Sequence, residues 1–133
     1  MVETTEKYRD LFIQAKQMLR NAYAPYSGFP VGAALLVKGE NKVFAGVNVE
    51  NASFGATICA ERTACVKAVS EGHRKFKAIA ITSSSGTASP CGICRQFLSE
   101  FSIDMDVITG KDEDHLIVRR LSELLPDDFQ LEK

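Results

Sequence analysis

Two short cysteine segments constrain this chain more than any other feature. Cys59-Ala60-Glu61 comes first, and Pro90-Cys91-Gly92-Ile93-Cys94 follows about thirty residues later. A C-x-x-C pair alone is ambiguous, because it serves equally as a redox couple, as half of a metal site or as two buried thiols. The upstream Cys-x-Glu and the proline before the pair turn the reading toward a metal. Structural zinc sites close with four protein ligands, whereas catalytic ones keep three and leave the fourth tetrahedral position to water. Three thiols beside a carboxylate suit the second kind: zinc lowers the pKa of that water toward neutrality, and Glu61 can move protons. Cys65 lies six residues beyond Cys59, on another side of the same helix, and reads as a core residue.

Hydrophobic periodicity places these segments. Leu11, Phe12, Ala15, Met18 and Leu19 recur at helical spacing and predict an amphipathic helix over Tyr8 to Asn21. A loop with two prolines and a glycine follows, from Tyr23 to Pro30. Ala33 to Lys38 and Val43 to Val49 read as strands of a hairpin that turns at Gly39-Glu40-Asn41-Lys42. After a polar loop, a helix starts at Cys59 or Ala60 and runs to about Ser70, with Gly72 as its stop. Phe76 to Thr82 contains the apolar run of a buried strand, Cys91 to Glu100 reads as a helix, and Met105 to Thr109 as a strand. A short strand near Leu116 to Val118 and a last helix through Leu124 complete the set. The order strand, strand, helix, strand, helix, strand predicts an α/β layered fold, and 133 residues suit a single domain, 1–133. Both cysteine segments fall at predicted helix starts, where the helix dipole and free N–H groups favour thiolate over thiol.

Charge narrows the partners. Sixteen Lys and Arg against seventeen Asp and Glu leave a net charge of -1. Nucleic-acid binding draws on many cations neutralising phosphates, so this balance argues against it. The basic cluster His73-Arg74-Lys75-Phe76-Lys77 is short and reads as a solvated turn. No apolar run approaches the roughly 18 residues needed to span a membrane. Met1 to Glu6 lacks the basic-then-apolar order of a secretory signal, so the expected location is the cytoplasm, with reduced thiols. His73 and His115 lack partners at ligand spacing and read as surface residues.

The two cysteine segments match the signature of the zinc deaminases in its three-cysteine form. Together with Phe29-Pro30-Val31-Gly32-Ala33-Ala34-Leu35-Leu36, Asn48-Val49-Glu50-Asn51, Arg95-Gln96 and Leu124-Leu125-Pro126, the chain resembles the cytidine deaminases from about Tyr23 to Phe129. The resemblance implies a three-layer α/β/α fold with a mixed sheet of about five strands. It also implies one Zn²⁺ per subunit on Cys59, Cys91 and Cys94, and hydrolytic deamination of cytidine and deoxycytidine with loss of ammonia. Glu61 is then the proton carrier and also holds ring N3, and Arg62 tempers the charge of the thiolates. Phe29 walls the base, Asn48 and Glu50 hold the ribose 3′-hydroxyl, the Ala60 N–H faces the pyrimidine O2, and the Ser89 carbonyl faces the 4-amino group. The short form resembles the homotetrameric branch, in which an aromatic at the position of Phe129 reaches into a neighbouring subunit's site. Phe54 departs from the tyrosine of many relatives, keeping the ring but losing the hydroxyl that helps contact the 5′ side of the ribose.

Three other readings stand beside this one. A deaminase of the blasticidin S type shares the zinc motif. A nucleic-acid editor usually carries His at the first ligand position and a basic surface, and this chain has neither. A zinc-bearing interaction module calls for a fourth protein ligand and no catalytic acid.

Overall fold

The computed structural model describes residues 2–133, with side chains from Thr5 onward. Five strands form one sheet: β1 (Val31–Val37), β2 (Val43–Val47), β3 (Phe76–Ser83), β4 (Asp106–Gly110) and β5 (Leu116–Arg120), in the order β2-β1-β3-β4-β5. β3 and β4 pair parallel and every other pair is antiparallel, so the sheet is mixed. A parallel pair needs a crossover, and helix α3 (Gly92–Ser102) supplies it between β3 and β4.

The alternation of side chains along β1 divides the core in two. Ala33, Leu35 and Val37 face a cluster built with α2 (Ala60–Ser70), α3 and the short α4 (Leu121–Leu124). Ala34 and Leu36 face the opposite side, where α1 (Val2–Gln17) buries Tyr8, Leu11, Phe12 and Ala15. The result is three layers, α/β/α, as the resemblance to the cytidine deaminases implies. β1 and β3 are covered on both faces, which is why each reads as a nearly unbroken apolar run.

Two glycines set how closely the helices approach the sheet. A Cβ on Gly46 would lie 2.5 Å from the Ala64 nitrogen and 2.8 Å from the Ala60 oxygen, both main-chain atoms of α2. A Cβ on Gly32 would collide with the carbonyl oxygen of Ala15 in α1. Helix backbone therefore rests on strand backbone on each side, and on the α2 side this fixes the turn that carries Cys59 and Glu61.

The predicted boundaries shift in informative ways. α1 begins at Val2 rather than Tyr8, because the residues before Tyr8 are polar and carry no apolar period. Its predicted end, Met18–Asn21, tightens into a 3-10 turn. β2 stops at Val47 rather than Val49, because the next residues pair with the loop before β1: Tyr23 N–H donates to Asn48 O, and Glu50 N–H donates to Tyr23 O. β5 extends through Arg120. His73 corrects the surface reading: it is half-buried, its ring centroid 5.4 Å from that of Phe44 and its Nδ1 3.4 Å from Glu40. His115 is exposed, with Nδ1 2.7 Å from Asp112.

Gly46→Ala tests the close seat of α2. Inserting one methyl group there forces backbone to move and should cost on the order of 1–3 kcal/mol. The urea midpoint should fall and zinc content should fall with it; a variant matching the parent on both measurements would mean that α2 does not depend on this contact.

Candidate active site

α2 and α3 begin side by side. Cys59 is the N-cap of α2 and Cys91 the N-cap of α3, and Cys94 sits in the first turn of α3. Sγ of Cys91 lies 3.9 Å from Sγ of Cys59 and 3.4 Å from Sγ of Cys94, and all three sulfurs fall within 4.8 Å of one another. Thiolates bound to zinc at about 2.3 Å in a tetrahedron stand about 3.8 Å apart, so the donor set fits that ion. Among the described residues these three are the one group of His, Cys, Asp or Glu able to hold a metal. Cys94 is buried, Cys59 half-buried and Cys91 exposed, so the cluster opens on one side. Cys65 is buried in the core on the α2 side of the sheet, and burial pushes its thiol up to about 12.

Charge within the cluster is uneven. Hydrogen bonds from Cys94, Arg62 and Cys91 bring the Cys59 thiol down to about 5 despite its burial. Cys94, tied to Cys59 and buried, is pushed up. The Arg62 guanidinium favours thiolate on Cys59, donating through Nη2 to its Sγ at 3.6 Å and to the Thr57 carbonyl at 3.3 Å. Arg62 Nε is buried without a protein partner. Arg62 is therefore tied to the cluster and is no free surface side chain.

A cavity of about 420 Å³ lies in front of the thiols. Of the residues predicted for the site, Cys59, Cys91, Glu61, Ala60, Phe29, Asn48, Glu50 and Ser89 line it. Glu61, only 3% exposed, stands in the first turn of α2. Burial, with a smaller push from the Cys59 charge, raises its carboxyl to about 7 against the pull of its own N–H, Cys94 and Arg62. Such a group changes protonation near neutral pH. Ser27, Val31, Thr57, Thr87 and Ala88 also line the cavity and escaped the sequence reading. They belong to no chemical motif; only the turn-rich composition around Ser27 marks a loop there.

Asn48 and Glu50 do more than face the cavity. Asn48 Oδ1 accepts from Val31 N–H and its Nδ2 donates to Phe29 O, each at 2.9 Å, so the amide clamps the segment leading into β1. Glu50 accepts from the N–H groups of Tyr26 and Ser27 at 2.9 and 3.1 Å, and from the Ser27 hydroxyl. Cys94 and Arg62 belong to the thiol cluster without lining the cavity, and Phe129 and Phe54 also lie off it. Phe129 is 66% exposed, and the Gln96 side chain holds its main chain, donating to its O at 2.7 Å and accepting from its N–H at 3.1 Å. Phe54 is exposed on a 3-10 turn, its ring edge against Tyr26 at 6.0 Å.

Residues 5–110 match the model of the cytidine and deoxycytidylate deaminase zinc-binding region. The chain belongs to this deaminase family. It is 46% identical over 124 residues to the cytidine deaminase of Halalkalibacterium halodurans, covering 92% of this chain and 93% of that one. The cytidine deaminase of Sporosarcina psychrophila is 43% identical over 124 residues, covering 92% and 90%. The crystal structure of cytidine deaminase from Burkholderia pseudomallei superposes with a TM-score of 0.83 at 44% identity, covering 90% of this chain and 97% of that one. The zinc-binding region of the deaminase family and the three-thiol cluster coincide: residues 59, 91 and 94 all fall within the matched span.

Zinc should accordingly bind one ion per chain. Metal analysis of Cys59→Ala, Cys91→Ala and Cys94→Ala should each show it lost, whereas Cys65→Ala should retain it. Full zinc in Cys59→Ala would remove that residue from the ligand set.

Proposed function

We propose that this protein hydrolytically deaminates cytidine and deoxycytidine at C4, yielding uridine or deoxyuridine and ammonia, within pyrimidine salvage. The observation that carries the reading is the buried Glu61 beside a three-thiol cluster at the wall of a nucleoside-sized cavity. Both relatives above bear the name cytidine deaminase, which favours the plain nucleoside over an analogue of the blasticidin S type. Residues 1–133 act as one cytidine-deaminase-like domain, working in the cytoplasm on a small molecule and not on nucleic acid.

Cys59, Cys91 and Cys94 would hold the zinc, which when bound supplies the Lewis acidity that makes water a nucleophile at neutral pH. Glu61 accepts a proton as water attacks C4 and delivers it to N3; it then takes the proton of the new C4 hydroxyl and passes it to the amine, so that the C4–N bond breaks, ammonia leaves and the C4 carbonyl forms. Its burial serves this task, because a carboxyl pushed up to about 7 both takes and returns a proton near neutrality. Arg62 draws density from the Cys59 sulfur and offsets the surplus charge of three thiolates. Phe29 forms a wall for the base, the Ala60 N–H faces O2, and the Ser89 carbonyl faces the 4-amino group. Asn48 and Glu50 take the ribose 3′-hydroxyl. The active form is a homotetramer whose sites are shared, with Phe129 stacking on the base in a neighbour's site; its exposure and its absence from its own cavity support this.

Purified protein should release ammonia from cytidine and deoxycytidine, and neither from cytosine nor from dCMP. Glu61→Gln should keep fold and zinc while kcat falls by roughly 10²–10⁴-fold. A Gln variant retaining most of its turnover would place the proton carrier elsewhere. Sharing is tested by mixing a Phe129→Ala chain with a Glu61→Gln chain. Activity should rise above both parents, because some mixed sites combine an intact Glu61 with an intact Phe129. If subunits exchange by mass and activity stays flat, Phe129 does not act across the interface.

A further inference from the structure

Ser27 stands where three parts of the site meet. Its hydroxyl oxygen accepts the Phe29 N–H at 3.0 Å and donates to Glu50 Oε2. The direction of the second bond follows from charge. The hydrogen bonds of Ser27, with that of Tyr26, hold the Glu50 carboxyl below its ordinary value, and an ionised carboxylate only accepts. The serine proton therefore points at Glu50, and a serine lone pair takes the Phe29 N–H.

A carboxylate offers about four lone-pair positions. On Glu50 the main-chain N–H groups of Tyr26 and Ser27 occupy Oε1, and the Ser27 hydroxyl occupies one position on Oε2. One acceptor position is left on Oε2. Its direction is set by the serine, because the other lone pair on that oxygen is already committed. Ser27 itself lines the cavity beside Glu50 and Phe29.

The geometry points to Ser27 as a positioning residue for substrate selection: it leaves Glu50 one oriented acceptor, which admits a hydroxyl donor from the sugar and rejects a group that cannot donate. This rests on the reading that Glu50 meets the ribose 3′-hydroxyl. The serine also ties that acceptor to Phe29, so the sugar contact and the base wall keep a fixed separation.

The test compares wild type, Ser27→Ala and Ser27→Thr, all zinc-loaded, on cytidine and on 3′-deoxycytidine. Wild type should favour cytidine. Ser27→Ala should raise KM for cytidine about tenfold, as expected for losing a hydrogen bond to a charged group. Its kcat should change less than its KM, and it should lose little further on 3′-deoxycytidine. Ser27→Thr, which keeps the hydroxyl, should recover most of the cytidine KM, and zinc content and melting temperature should hold across the set. Equal losses on both substrates would overturn the proposal while leaving the Glu50 contact standing. An unchanged KM, or a Ser27→Ala chain that unfolds or sheds zinc, would also overturn it. Wild type treating the two nucleosides alike would instead defeat the Glu50–hydroxyl reading, and the role of Ser27 with it.

Discussion

Gathering three thiols around one point is electrostatically unfavourable, because each thiolate makes the next harder to form. The arrangement of α2 and α3 answers that cost. Both helices start at the cluster, and their unsatisfied N–H groups and positive dipole ends face the sulfurs. Arg62 adds a full positive charge against Cys59, and a divalent cation completes the balance. Neither helix could deliver its cysteine without the sheet beneath. The β3–α3–β4 crossover sets where α3 begins, and the bare backbone of Gly46 sets how near α2 can come.

The same economy governs the end of the cavity beside β2. Asn48 and Glu50 lie just past the last ladder residue of β2, where the chain leaves the sheet and still has side chains to spare for a loop. Their polar atoms stitch Tyr26 through Val31 into place, and the groups left over face the cavity. Holding the loop and lining the cavity are therefore not separate at these positions. Truncating either side chain would loosen the loop that carries Phe29 as well as reshape the cavity wall.

What the sequence made legible follows the physics of local signals. The cysteine spacing, the starts of α2 and α3 and the apolar runs of β1 and β3 depend on neighbours in the chain, and they read correctly. Ser27, Thr57 and Thr87 join the cavity only because distant segments meet there, and no local pattern marks them. The half-burial of His73, in the connection after α2, arises from Phe44 and Glu40 of the β1–β2 hairpin, again a contact between strangers in sequence. The early start of α1 is hidden for another reason: the residues before Tyr8 are mostly polar and carry no apolar period.

The attachment of the C-terminal tail is of a different kind from these side-chain contacts. Gln96 holds residue 129 through its N–H and its carbonyl, and Gln130 reaches the Ser99 carbonyl on the same helix at 3.1 Å. The Gln96 clamp addresses main-chain atoms that every residue except proline presents in full. Position 129 thus has an address that does not depend on its occupant. The tail can exchange one ring for another, or for none, and still be delivered to the same place on α3, so that what the side chain does and where it is held are free to vary independently.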